Sequence, residues 1–232
     1  MLEVVLEGPG KNALGSALMR QLIDALRSAA GGPLLLRGAG DAFCAGLNLK
    51  EMAGLDAAGM QAFLALLEDM VQALYEYPGP IAAAVNGHAV AGGCVLALGC
   101  DWRVMTTAPG ARIGLNEVAI GARFPPRTWA MVKARLPAAS IERVVLGAQL
   151  VDPQSALALG LVDELADDPL AVAQDRLALL ARHPRDAYAV AKRGIRGVLA
   201  PGEDALARWA REDLAAWTSP QFRALIEAQL KR

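Results

Sequence analysis

Two stretches of the chain place glycine where a backbone could do chemistry: AFCAGLNLKEM (42–52) and NGHAVAGGCVLALGCD (86–101). In each, glycines stand just ahead of a helix start, where backbone N–H groups have no intrahelical acceptor and point outward. One such end signifies only a tight turn. A pair of them, placed after two buried strands, could aim two N–H groups at one carbonyl oxygen, which is an oxyanion hole. Side chains for other chemistries are scarce. Of the two histidines, His88 lies in an apolar run and His183 precedes a helix-breaking proline. Both read as structural, with no nucleophile nearby in sequence. Cys44, Cys94 and Cys100 lack the paired spacing of a zinc site and cannot form a disulfide framework, and Cys44 reads as a small buried residue. There is no G-x-S-x-G elbow, Walker loop, H-E-x-x-H pair or G-x-G-x-x-G after a strand, so neither a metal nor a bound dinucleotide is expected.

The elements that must position these stretches follow from the pattern of apolar residues and breakers. LEVVLE (2–7) reads as a strand, and Ser16 as the cap of a helix carrying Leu18, Leu22 and Leu26. LLLR (34–37) is a short buried strand, and Gly38–Gly46 a glycine-rich loop opening on Leu47–Met52. A longer amphipathic helix spans about 57–76, with Phe63, Leu67, Met70 and Leu74 at helical spacing. Residues 81–100 approach the length of a membrane span. Asn86-Gly87 and Gly92-Gly93 break the run, which therefore reads as a buried strand (80–85) feeding a buried helix (92–100). A strand at 102–106 with a partner near 113, and a last strand at 161–165, complete an α/β chain with parallel pairing. After Pro125-Pro126 the chain turns helical, with Leu206, Trp209, Leu214, Trp217, Phe222 and Ile226 in apolar stripes. Asp101 and Arg103 read as a structural pair. The composition is 54% hydrophobic, with 23 basic against 24 acidic residues and a net charge of −1. That excludes a disordered chain and gives no long-range pull on nucleic acid or anionic lipid. The start MLEVVLEGPGKN has no basic-then-apolar pattern, so a cytoplasmic protein is expected.

GAGDAFCAGLNLKEM and NGHAVAGGCVLALGCDWRVM resemble the two signature segments of the crotonase (enoyl-CoA hydratase/isomerase) superfamily, in order and at the expected separation. The resemblance implies a spiral of repeated strand–strand–helix (ββα) turns over residues 1–185. A C-terminal helical region, 186–232, would serve oligomerisation and cover the pocket. It implies a homotrimer or dimer of trimers and an acyl-CoA substrate, with coenzyme A arriving as part of that substrate and no separate cofactor. Carried over residue by residue, Leu47 and Gly92 would donate the two oxyanion N–H groups. Ala45, Lys50, Val95 and Phe124 would contact the substrate or its CoA, with Lys50 suited to phosphates. Asn48 stands where the family usually has aspartate, and can still cap a helix. Of the two glutamates that hydratases of the family use, the first position is Val95 here and the second is Glu117.

Water addition needs one group to activate the water and another to handle the α-proton, whereas moving a double bond needs a single base. One carboxylate with an apolar wall at Val95 fits the second chemistry. The segment AGGCVLALGCDWRV followed by IGLNE is similar to the mitochondrial-type Δ3,Δ2-enoyl-CoA isomerases. On composition alone Glu117 reads as a solvated loop glutamate. With the resemblance, its neighbours Ile113, Leu115, Val118 and Ile120 predict a desolvated base with a raised pKa. A hydratase would need a second acid–base group from elsewhere, for which Asp41 and Glu51 are the candidates. A thioester or β-diketone hydrolase, and an idle acyl-CoA-binding scaffold, are the other readings.

Overall fold

The computed structural model describes residues 1–231. Eight strands form: β1 (Leu2–Leu6), β2 (Leu34–Gly38), β3 (Ala42–Cys44), β4 (Ile81–Val85), β5 (His88–Val90), β6 (Trp102–Thr106), β7 (Ile113–Gly114) and β8 (Glu164–Ala166). They divide into two parallel sheets, ordered β1-β2-β4-β6-β8 and β3-β5-β7. The strands of the large sheet start level, with Leu2 opposite Leu34 and Leu34 opposite Ile81. Three turns of the chain, β2-β3, β4-β5 and β6-β7, thus lay one strand in the large sheet and the next in the small one before helices return the chain. This is the expected ββα spiral.

Alternation explains why the large sheet is buried on both faces. Leu34 and Leu36 of β2, with Ile81, Ala83 and Val85 of β4, point into the main core. Leu35, Ala82 and Ala84 point to the opposite face, where Ala173 and Leu177 of the helix Pro169–Leu180 cover them. The apolar run 81–100 resolves into β4, β5 and the helix Gly92–Gly99. Among the described residues no helix is long and apolar enough to cross a membrane.

Local details depart from expectation in instructive ways. Residues 42–44, expected as loop, form a strand, and 88–90, between the expected strand and helix, form another. Ser16 is the first helical residue and caps nothing; its N–H instead donates to the Glu51 carboxylate at 3.0 Å. Asp101 and Arg103 do not pair with each other. Asp101 is held by Lys192 at 2.8 Å and Arg196 at 2.6 Å, while Arg103 binds Asp163 at 2.6 Å. Lys192 and Arg196 belong to the helix Arg185–Arg196, so these ion pairs clamp the C-terminal helices to the sheet. The apolar stripe over 209–218 is no regular α-helix: a π-turn (Trp209–Asp213) runs into a 3-10 turn (Leu214–Thr218). The helix Pro220–Leu230 follows, capped by the Ser219 hydroxyl, which accepts from the Phe222 N–H at 3.2 Å.

Candidate active site

The first glycine stretch is fastened before it can present anything. Asn12 is buried and its Nδ2 donates to the carbonyls of Ala39 at 2.9 Å and Ala42 at 2.8 Å. Leu14 N–H donates to Gly46 O at 2.7 Å, and Asn48 N–H to Leu14 O at 3.1 Å. These bonds flank Leu47 and leave its own N–H outside the pairing among the described residues. Gly46 has φ +93°, and a Cβ there would lie 2.9 Å from Val90 O, so only glycine turns the chain this close to β5. Asn48 caps the helix Leu49–Ala53, its Oδ1 accepting from Glu51 N–H at 3.2 Å, as expected.

The second stretch arrives through a strained hinge. Ala91 has φ 48° and ψ −112°, a conformation costly for any residue with a Cβ. It is held because its N–H donates to Gly114 O of β7 at 2.9 Å. The hinge starts the helix Gly92–Gly99 at Gly92, whose N–H has no intrahelical acceptor. A Cβ at Gly92 would lie 3.6 Å from Leu47 N, so the two free N–H groups are neighbours. Gly93 sits so close to Cys44 that a Cβ would run into the Cys44 carbonyl oxygen, which is why the pair of glycines is needed.

Leu47 and Gly92 open on a cavity of about 170 Å³, together with Ala45, Val95, Glu117 and Phe124. Six of the seven residues singled out in the sequence therefore meet. Lys50 does not: it stands exposed and outside the lining. Asp41 and Glu51 are also absent from it, Asp41 being exposed and paired with Lys11, and Glu51 engaged with Ser16. Cys44 is fully buried, and burial pushes its thiol up to about 11, so it offers no nucleophile.

Glu117 is 8% exposed and is the acidic residue of the cavity wall. Burial raises its pKa to about 7, and its Oε2 has no hydrogen-bond partner. It lies three residues past the end of β7, at the start of the 3-10 turn Val118–Ile120, so the segment leaving the strand that holds Ala91 presents the carboxylate. Val95, one helical turn beyond Gly92, gives an apolar surface to the same space.

Several lining residues escaped the sequence reading. Thr128 and Pro125 come from the start of the helix Pro126–Arg135, and Asn116 precedes Glu117. Trp217 and Phe222 reach in from the C-terminal segment, packed edge to face with ring centroids 5.0 Å apart. Both were read only as members of apolar stripes, one on either side of the Ser219-Pro220 break, within the C-terminal region expected to cover the pocket.

Two parallel sheets wound as a spiral, with paired backbone N–H groups beside a buried carboxylate, define a class that comparison identifies. The family model described as Enoyl-CoA hydratase/isomerase matches residues 1–219, and the chain belongs to that family. A probable enoyl-CoA hydratase of Rhodobacter capsulatus is 33% identical over 236 residues, covering 95% of this chain and 87% of that protein. The mouse mitochondrial enoyl-CoA delta isomerase 1 is 36% identical over 126 residues, covering 54% of this chain and 44% of the mouse protein. The chain thus spans less than half of that relative's length. The crystal structure of human mitochondrial delta3-delta2-enoyl-CoA isomerase superposes with a TM-score of 0.84 at 23% identity, over 99% of this chain and 93% of that one. At that identity the likeness is one of fold.

Proposed function

We propose that the chain moves a double bond between C3 and C2 of an unsaturated acyl-CoA thioester. The thioester oxygen accepts hydrogen bonds from the Leu47 and Gly92 N–H groups, and the acyl chain lies along Val95 and Phe124. The Glu117 carboxylate removes the C2 proton of the 3-enoyl thioester. The negative charge spreads to the thioester oxygen, where the two N–H groups stabilise it. Glu117, now protonated, returns the proton at C4, and the double bond lies between C2 and C3. A base with pKa near 7 suits both halves, because it is neither too weak to take the proton nor too strong to give it back.

The observation that carries this reading is the solitary carboxylate: Glu117 is buried on a wall whose facing helix offers Val95. An idle scaffold has no use for a buried carboxylate with an unpartnered oxygen, which costs stability. Hydration is the second reading, favoured by the name of the Rhodobacter relative. A paired assay separates them. Isomerisation of a 3-enoyl-CoA is expected to outrun hydration of a 2-enoyl-CoA, and efficient hydration without double-bond migration would overturn the proposal. Exposed Val190, Ile195 and Val198 support self-association; the assembly proposed is a trimer or dimer of trimers, which sedimentation tests.

A further inference from the structure

The cavity at Glu117 shares a wall with a second one, of about 230 Å³, and Phe124 lines both. The residues after Phe124 divide between the two spaces. Pro125 and Thr128 line the cavity at Glu117, while Pro126, Trp129 and Ala130 line the second. The Phe124 and Trp129 rings pack with centroids 5.4 Å apart, so the shared ring is backed by one belonging to the second cavity alone. The C-terminal segment divides in the same way, with Trp217 on the first lining and Trp209 and Asp213 on the second. Arg123, from the first lining, donates to Asp213 across this division at 3.1 Å. The partition is light: Phe124 is only half-buried, and the ion pair is open to solvent, where such pairs contribute little.

The second cavity is walled mainly by aromatic, proline and alanine side chains, with Lys133, Arg208 and Asp213 as charged members. From this shared wall we infer that Phe124 determines acyl-chain length: it ends the space open to the chain at Glu117 and withholds the second cavity from it. The inference rests on the acyl-thioester reading and deepens it, naming short-chain thioesters as the substrate class. A dry apolar hole of about 150 Å³ holds a benzene ring, so the 170 Å³ beside Glu117 suits an acyl chain of about six carbons. A longer chain gains nothing from its extra methylenes unless it passes the ring. Past the ring, each methylene buried would tighten binding about fourfold.

The test uses saturated thioesters, which bind without reacting. Affinities of butanoyl-, hexanoyl- and decanoyl-CoA are measured by titration calorimetry on the full chain. For the wild type, affinity should rise from butanoyl- to hexanoyl-CoA and then level off, with decanoyl-CoA less than about threefold tighter than hexanoyl-CoA. Phe124→Ala should join the two cavities and bind decanoyl-CoA about tenfold or more tightly than hexanoyl-CoA. Adding Ala205→Trp, which fills the second cavity, should cancel that gain, with folding of both variants checked by circular dichroism. A wild-type ratio above about threefold overturns the inference, and this arm needs no substitution. A Phe124→Ala ratio no larger than that of the wild type, or a gain that survives Ala205→Trp, overturns it as well. Failure of the wild type to bind any of the three thioesters would instead overturn the acyl-CoA reading itself.

Discussion

Glu68 holds Thr128 at both of its polar groups: Oε1 accepts the Thr128 N–H at 2.9 Å and its hydroxyl at 2.8 Å. The other oxygen accepts the Arg127 N–H at 2.6 Å. A carboxylate from the helix Ala57–Tyr75 thereby does the work of an N-cap for the helix Pro126–Arg135, which lacks a capping side chain of its own. Pro125 and Thr128 of that helix start are walls of the cavity.

Removing this cap should loosen the wall. Glu68→Ala leaves buried donors unpaired and is expected to cost about 3 kcal/mol, read from denaturant unfolding. Glu68→Gln keeps an acceptor and should cost about 1 kcal/mol. Both should raise KM more than they lower kcat, because the proposed base is untouched. An unchanged KM in Glu68→Ala would detach this cap from the site.

The ionisation of Glu117 should set the acid limb of the rate profile. As the proposed base it must be deprotonated, so kcat/KM should rise with pH and level off above about 7. Glu117→Gln should lower kcat by about three orders of magnitude while thioester binding persists. A profile flat from pH 5 to 8 would remove Glu117 from the proton transfer.

The same carboxylate makes stability depend on pH. Its folded pKa lies near 7, above the ordinary value of 4.5, so between these values the folded chain holds a proton that the unfolded chain has released. Stability is therefore greatest below 4.5 as far as this group is concerned, and is lost as pH rises through 7. The full effect approaches about 3 kcal/mol. The thermal midpoint of the wild type should fall between pH 5 and pH 8 relative to that of Glu117→Gln, and parallel curves would contradict the burial argument.

Asp101 offers a third group to test. Its carboxylate accepts from Ile81 N–H at 2.8 Å as well as from Lys192 and Arg196. Burial pulls the Lys192 pKa down to about 8, with Asp101 opposing the fall. Asp101→Asn should cost about 3–5 kcal/mol, since it strands two buried cations. Urea titration measures this, and a cost under 1 kcal/mol would show that the cations find other partners.

What was legible in the sequence was whatever depends on local pattern. The strands β2, β4 and β6, the helix 57–75 and both glycine stretches announce themselves by apolar runs and breakers. The strands β3 and β5 did not, because three residues between glycines carry no readable alternation. Contacts across long separations were the other loss. Ser16 was given a capping role that Glu51 fills from 35 residues away, and Asp101 was paired with its neighbour, not with Lys192. Glu68 gave no signal, since a glutamate within an amphipathic helix ordinarily faces water. Trp217 was legible as apolar, and its region as pocket cover only through the resemblance; which of its residues reach the cavity was not legible, for nothing local says where each one lands.

The Ala91–Gly114 bond has a bearing on how such a molecule can diverge. Leu47 and Gly92 offer main-chain groups, which no substitution short of proline deletes, and the strand pairing behind Ala91 holds them in register with residue 117. The frame that would polarise a carbonyl is thus inherited separately from the side chains that would handle protons. Exchanges at side chains such as 95 or 117 would alter what is done to a substrate, while the seat for its carbonyl stays in place.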